Sequence, residues 1–512
     1  MKDFLRFKNK FILRVFLLAL VFLGLSAFYL GVVLALPYNS DHASILLEAK
    51  SIIDHNFLLK GWTLSTVSDF TTEIPFYIIG ILIFGNSDKV IYVVTAVNYA
   101  LLSLTIIYYC SINQTGQIVF GRLIISVGFL LFIASLLSTW DLLSPVHIVS
   151  LTYCLCSLFF LRGGYITINK KSLILSGIFF LLAFVGDTFT IYVWGIPVCI
   201  VLFFRSFNVE KRGQCIKLLV TTLFLIAFSQ IILHLISLSG GFTVPGIYPP
   251  LKYVDIQNLP NNLYLFFIGF FDLFSVNFFG KPVLSYMSWL SLIHFLGLFV
   301  FVCALLWTIK ELSKQSITNQ IFTVAILINL AEYLFGNVAI DRSSVYYLMP
   351  SLIFGVILIT SFIVESKWYQ YKLFIIICCI LIGTSLIPNM SRSRINLPVS
   401  ELDSFLVSHH LKNGYGPYWL ASVTTVHSKG AVSIRQVYSP NDDYLHPFYW
   451  LVEDNWFSSN ATFLVFDNEN SFNVNTVTAI NTFGKPKDTY RVDNYSVLVW
   501  DKNISPDLLK HP

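Results

Sequence analysis

Charge is what this chain has least of. Asp, Glu, Lys and Arg together make up 12% of its 512 residues, against 56% hydrophobic and 16% aromatic, whereas soluble domains carry about a quarter charged residues. With a mean hydropathy of +0.72, this deficit excludes a soluble globular protein and marks an integral membrane protein. Net charge is also small, +5 for the whole length. The positive residues collect on one side of the expected membrane and form no patch for nucleic acid, so that class of partner is excluded too. Cysteine is sparse: all eight fall in expected spans or on the inner side, and none lies in the C-terminal tail. Neither a disulfide framework nor a zinc spacing is present, and Cys378 with Cys379 reads as apolar filling of a helix. Short internal repeats and low-complexity linkers are lacking as well.

What the chain does have is apolar runs. From Phe11 to Leu36 it is apolar for about 26 residues apart from Arg14, too long for the roughly 7–15 residue core of a signal peptide and long enough for a bilayer. A retained first helix with a cytoplasmic N-terminus is expected. Runs of about 17–25 residues predict eleven spans, near 12–36, 89–110, 123–139, 145–162, 172–186, 189–206, 218–238, 286–309, 318–338, 344–364 and 372–388. An odd number puts the C-terminus outside. The basic residues agree: the N-terminus and the loops holding Arg122, Arg162, Lys170, Lys171, Arg205, Lys211, Arg212, Lys217, Lys310, Lys314, Lys367 and Lys372 all fall inside, as the positive-inside rule requires.

Residues 1–388 therefore form a polytopic α-helical membrane domain, and 389–512 an extracytoplasmic C-terminal domain. Two large outer loops are expected, 37–88 and 239–285. In the first, DHASILLEAKSIIDHN places Ile45, Leu46, Ala49, Ile52 and Ile53 at helical spacing with Glu48, Lys50 and Ser51 opposite, an amphipathic helix in the interface. IPFYIIGILIFG, with about 12 apolar residues, is too short to cross and reads as a second interfacial helix. The tail changes character. AVSIRQVY, ATFLVFD and YSVLVWD read as strands between Asn, Asp, Gly and Pro turns, and VSELDSFLVSHHLKNG as a helix ending at Gly414, together a small α/β domain.

Asp41, in NSDHA, follows the first span and opens the amphipathic helix. Two readings compete: an N-cap, whose side chain accepts free backbone N–H groups, and a general base at the membrane surface, where a lipid headgroup meets a water-soluble acceptor.

The order of these pieces resembles the GT-C superfamily of multi-spanning glycosyltransferases: a first span, an acidic residue opening an interfacial helix, a short Pro-aromatic helix ending in Phe-Gly, then a second span. FVGDTFTIYVWGIP resembles that fold's hinge between two later spans, DRSSVYYLMP its entry to a late span, and the tail its outer domain. Size and plan are similar to phage-type O-antigen glucosyltransferases, and more loosely to aminoarabinose and mannose transferases. In the aminoarabinose type a Lys precedes the Pro of the second interfacial helix. Thr72, Glu73 and Ile74 stand there instead, so the phosphate clamp of those enzymes is not carried over.

The resemblance implies transfer of a sugar, glucose being one candidate, from an undecaprenyl-phosphate carrier to a periplasmic glycan such as O-antigen, with inversion. Asp41 is then the base. His42 shares its position and titrates near neutral pH, or is simply a hydrogen-bonding surface residue. Arg342, beside Asp341 and ahead of Tyr346 and Tyr347, suits a carrier phosphate, or pairs with Asp341 or another outer acid. Asp187 interrupts an apolar stretch as a cavity group or a turn residue. Asp141 and His147 flank the outer turn STWDLLSPVH as acceptor-site residues, with turn formation the plainer account of Asp141. Asp69 and Glu73 are acceptor-binding candidates. No metal or other cofactor is expected. GPYW and HPFYW supply aromatics for sugar rings, or core for the tail domain. The implied setting is a bacterial inner membrane, with a donor-making synthase and a flippase as pathway partners. The rival readings are a lipid-linked-sugar flippase or transporter, which predicts repeats and charges deep in spans, and an O-antigen polymerase or ligase.

Overall fold

The computed structural model describes residues 2–111, 147–167, 169–246, 252–276, 280, 282–365, 377, 397–468 and 471–510. Asp141, the expected span 123–139 and all of the expected span 372–388 except residue 377 lie outside the described residues. The protein is mostly helical. Among the described residues seven helices are long and apolar enough to cross a membrane: Phe16–Val33, Lys89–Cys110, Ile148–Tyr165, Val209–Leu238, Tyr286–Lys310, Ile317–Phe335 and Arg342–Glu365.

The first helix, α1 (Lys2–Val33), ends just ahead of Pro37. α2 (Ser40–Ile53) and α3 (Glu73–Phe84) are the two short helices expected in the first loop. Pro75 is tolerated in the first turn of α3, where backbone N–H groups need no helical partner, and Gly85 (φ 73°) ends the helix in a conformation that favours glycine. Next come α4 (Lys89–Ser111) and α5 (Ile148–Thr167), followed by α6 (Lys170–Gly186). The chain then breaks at Asp187, which is extended, and resumes through a π-turn (Ile191–Gly195) into α7 (Ile196–Arg205). Pro197 carries no N–H, so the turn ahead of it closes wide, from Ile196 N–H to Ile191 O. α8 (Arg212–Leu238) leaves most of its apolar surface uncovered.

The second loop holds an unexpected helix, α9 (Leu259–Leu273), which packs against the short 3-10 helix Arg342–Leu348. α10 (Tyr286–Lys310), α11 (Ile317–Phe335) and the deeply buried α12 (Met349–Glu365) complete the bundle. In its core Trp194 packs on Phe354 and Phe322 at ring distances of 5.2 and 5.8 Å.

Two sequence expectations are corrected. The helical spacing puts Glu48 on the polar face of α2, opposite Ile45 and Leu46. It is 1% exposed, because a second layer covers that face: the helix α14 (Tyr418–His427) of the C-terminal region lies along α2, with Ser44 Oγ donating to Ser422 Oγ at 3.0 Å. The helix expected to end at Gly414 is shorter, α13 (Ser400–Ser408). His410 (φ 58°) turns the chain, and Gly414 already belongs to a strand, where an added Cβ would meet the Phe463 ring at 2.5 Å.

That strand, β2 (Asn413–Gly416), is central in a six-stranded sheet with β3 (Ser433–Tyr438), β4 (His446–Pro447), β6 (Phe463–Asp467), β7 (Asp488–Val492) and β8 (Tyr495–Val499). Its order is β4-β3-β2-β6-β8-β7. β2 runs parallel to β3 and β6, and the remaining pairs are antiparallel. The three quoted strand segments supply β3, β6 and β8. A separate pairing joins the two regions: β1 (Trp62–Thr63) in the first loop runs antiparallel to β5 (Val452–Glu453) of the sheet domain. The sheet domain thus sits on α2 and the first loop, at one end of the bundle.

Candidate functional site

The site begins with Asn39. Its Oδ1 accepts the N–H groups of Asp41 at 3.1 Å and His42 at 3.4 Å, so Asn39 is the N-cap of α2. The N-cap reading of Asp41 is thereby overturned. Asp41 lies in the first turn with its carboxylate available to something else, and the Tyr418 hydroxyl donates to Asp41 Oδ1. Burial, then the charge of Asp41 and the hydrogen bond itself, hold the Tyr418 phenol well above its ordinary range, so it stays a donor. His42 is used differently. Its Nδ1 lies 2.5 Å from Asn39 Oδ1 within the cap, and full burial pushes its pKa down to about 3, leaving a neutral ring.

The loop before α3 is fastened to the end of α6. Ser68 and Asp69 N–H groups both donate to Gly186 O, at 3.1 and 2.9 Å. Ser68 Oγ donates to Val185 O at 2.7 Å, and Thr71 Oγ1 to Leu182 O at 2.7 Å. Gly186 permits this approach, since a Cβ there would lie 2.4 Å from Thr72 Cγ2. Asp69, at φ 50°, ends up beside Glu73, whose Oε1 accepts Val149 N–H at 3.2 Å. Burial first, then the neighbouring charges of Glu73 and Glu48, raise the Asp69 carboxyl well above the usual range. Burial likewise raises Glu73 and, most simply, Glu48.

His147 and Asp187 come from different helix ends, forty residues apart in sequence, and meet with Nδ1 at 2.5 Å from Oδ2. Asp187 is 1% exposed and also accepts Phe189 N–H at 3.0 Å, which fixes its orientation. Phe189 packs on the imidazole at a ring distance of 4.6 Å. Burial lowers the His147 pKa, but the charge and hydrogen bond of Asp187, with the charge of Glu73, outweigh it and leave it raised.

Asp41, Asp69 and His147 line one cavity of about 180 Å³, together with Tyr346, Tyr347 and, from the sheet domain, Trp450. Ligand pockets span about 300–1,000 Å³, so this volume receives one end of a ligand, not a whole glycan. Four candidates from the sequence thus meet here, and two more stand behind them: Asp187 on His147, Glu73 on Asp69. Two do not meet. His42 belongs to the helix cap. Arg342 pairs in a fork with Asp272, Nη2 to Oδ1 at 2.5 Å, and lies off the cavity although its side chain is 56% exposed. Asp341, its sequence neighbour, caps the 3-10 helix instead.

Sequence reasoning missed Tyr418, Trp450 and Glu48 as members of the site. GPYW and HPFYW carried the first two as an unresolved aromatic signal, and Phe448 of the same run packs on Tyr418 and Phe472. Glu48 had a visible signal in its spacing, seven residues after Asp41 and so on the same helical face. No protein-family model matches this chain, and no curated protein sequence matches it either.

Proposed function

We propose that this protein is a membrane glycosyltransferase of GT-C type that moves a sugar from a polyprenyl-phosphate carrier to a glycan acceptor at the membrane surface, Asp41 acting as general base. One observation carries the reading. A carboxylate released from helix capping by Asn39 and held by Tyr418 faces a cavity where the apolar bundle meets a sheet domain. That junction is where a lipid-borne donor and a soluble acceptor can meet.

The step asks for few groups. The acceptor oxygen forms its bond to the anomeric carbon while its proton passes to Asp41. The bond from that carbon to the phosphate oxygen breaks, and its electron pair leaves with the carrier phosphate. His147 is the only cavity-lining group among the described residues able to carry positive charge. Backed by Asp187, it is suited to donate to the departing phosphate. In this reading Arg342 reaches a phosphate only by loosening its pair with Asp272. Eleven spans, an outward sheet domain and a bacterial inner membrane complete the proposal, supported by the distribution of basic residues.

Mass and linkage analysis of surface glycan from cells with and without the protein tests the reading. One hexose-sized difference at a defined linkage supports it. Loss of whole repeating units would favour a polymerase or ligase, and accumulation of lipid-linked sugar with unchanged glycosidase-sensitive linkages a flippase.

A further inference from the structure

Among the described residues, Arg205, Lys211 and Lys310 gather at the other end of the bundle from Asp41. Tyr165 lies about 27 Å from His147 along α5, at a rise of about 1.5 Å per residue. There a cavity of about 730 Å³ opens between the ends of α5, α7, α10 and α11. Its rim holds Arg205, Lys211 and Lys310 against a single acid, Glu210, and its walls include Phe204, Ile309 and Val324.

The three cations are not equivalent. Arg205 is built into the fold, with Nε donating to Gln320 Oε1 at 2.7 Å, Nη1 to Tyr165 Oη at 3.2 Å and Nη2 to Gln315 O at 2.9 Å. Lys211 has its Nζ 4.4 Å above the Tyr165 ring, an aromatic contact that leaves its N–H donors uncommitted. Lys310 ends α10, and the neighbouring Glu311 is already taken by Lys314 at 2.6 Å. Below them Phe204 and Ile309 are exposed, as is the apolar surface of α8 alongside.

We propose that this groove binds an anionic glycerophospholipid, its phosphate held by Lys211 and Lys310 beside Arg205 and its acyl chains lying along Phe204, Ile309 and Val324. Charge complementarity and apolar walls select an amphiphile over a free anion. Basic pockets between helices on the positive-inside face meet a leaflet rich in anionic lipid. The site is separate from the Asp41 cavity and stands whether or not that cavity transfers sugar.

Native mass spectrometry of the full-length protein in detergent, titrated with phosphatidylglycerol or phosphatidylcholine, tests it. Phosphatidylglycerol is expected to bind and to raise the unfolding temperature, while phosphatidylcholine does neither. Lys211→Ala and Lys310→Ala, which remove no hydrogen bond to a described residue, should each weaken phosphatidylglycerol about fivefold. Equal binding of the two lipids, unchanged affinity in the double variant, equal stabilisation by inorganic phosphate, or tighter binding of polyprenyl phosphate to the same site would each overturn the proposal. The lipid comparison on unaltered protein needs no variant to fold.

Discussion

Tyr418, on a helix of the sheet domain, donates its phenol hydrogen to the carboxylate of Asp41, on a helix of the first loop at the end of the helical bundle. One hydrogen bond thus joins the two parts of the chain at the group proposed to act as base. Removing it by Tyr418→Phe leaves the ring and its packing on Phe448 in place but lets the carboxylate turn. Transfer should fall about 10-fold to 100-fold, mostly in kcat, as small misplacements of a reacting group do. Steady-state kinetics beside an unfolding curve checks this. A rise in KM alone would assign Tyr418 to binding.

His147 gives a pH signature. Its pKa is raised in the folded protein, against burial, by Asp187 and Glu73. The charged ring contributes both stability and phosphate binding below its unfolded value, and both are lost as pH rises through the folded value. Asp187→Asn removes the main support, so the alkaline limb of the rate profile should move to lower pH. A limb unmoved by that substitution would show that His147 does not titrate in the step.

Glu48 makes a prediction of the same sign for stability, at the acid end of the scale. Burial raises its carboxyl well above the ordinary range, so the folded state keeps a proton that the unfolded chain releases. Stability therefore falls as pH rises from the unfolded pKa, about 4.3, towards the folded one. Glu48→Gln should flatten that slope in thermal unfolding between pH 4 and 8, and leave the acid end nearly unchanged.

Gly186 tests the scaffold. A methyl group there would press on Thr72 and Thr71 at 2.4 and 2.9 Å, pushing the Asp69 loop off the end of α6. Gly186→Ala should cost about 1–3 kcal/mol, the usual penalty of overpacking, read by denaturant unfolding, and should reduce transfer as well. Gly246→Ala, with open space at its Cβ position, is the control.

The long apolar helices were legible because long apolar runs leave a chain few alternatives to a helix, and α2, α3 and the break at Asp187 followed from local spacing. Asp187 stood out as a charge interrupting an apolar stretch, and Asp69, Glu73 and His147 as polar candidates in outer segments, although nothing local said that His147 would meet Asp187. The errors came from the second layer. Glu48 looks solvent-facing until α14 is laid over α2, and Tyr418 or Trp450 cannot be told from core aromatics until the β1 and β5 pairing brings the sheet domain onto the loop. Asp41 was misassigned as a possible cap because Asn39, two residues earlier, meets the same requirement, and only the backbone geometry separates them.

The most direct test is transfer of labelled sugar from polyprenyl-phosphate-sugar to glycan acceptor by purified protein, unaltered and as Asp41→Asn. Asparagine keeps the size of the side chain and can still contact Tyr418, so insertion and unfolding temperature should be preserved while the rate drops by about 10²–10⁴, the range of general acid–base catalysis. Full activity in a folded Asp41→Asn protein would contradict the account.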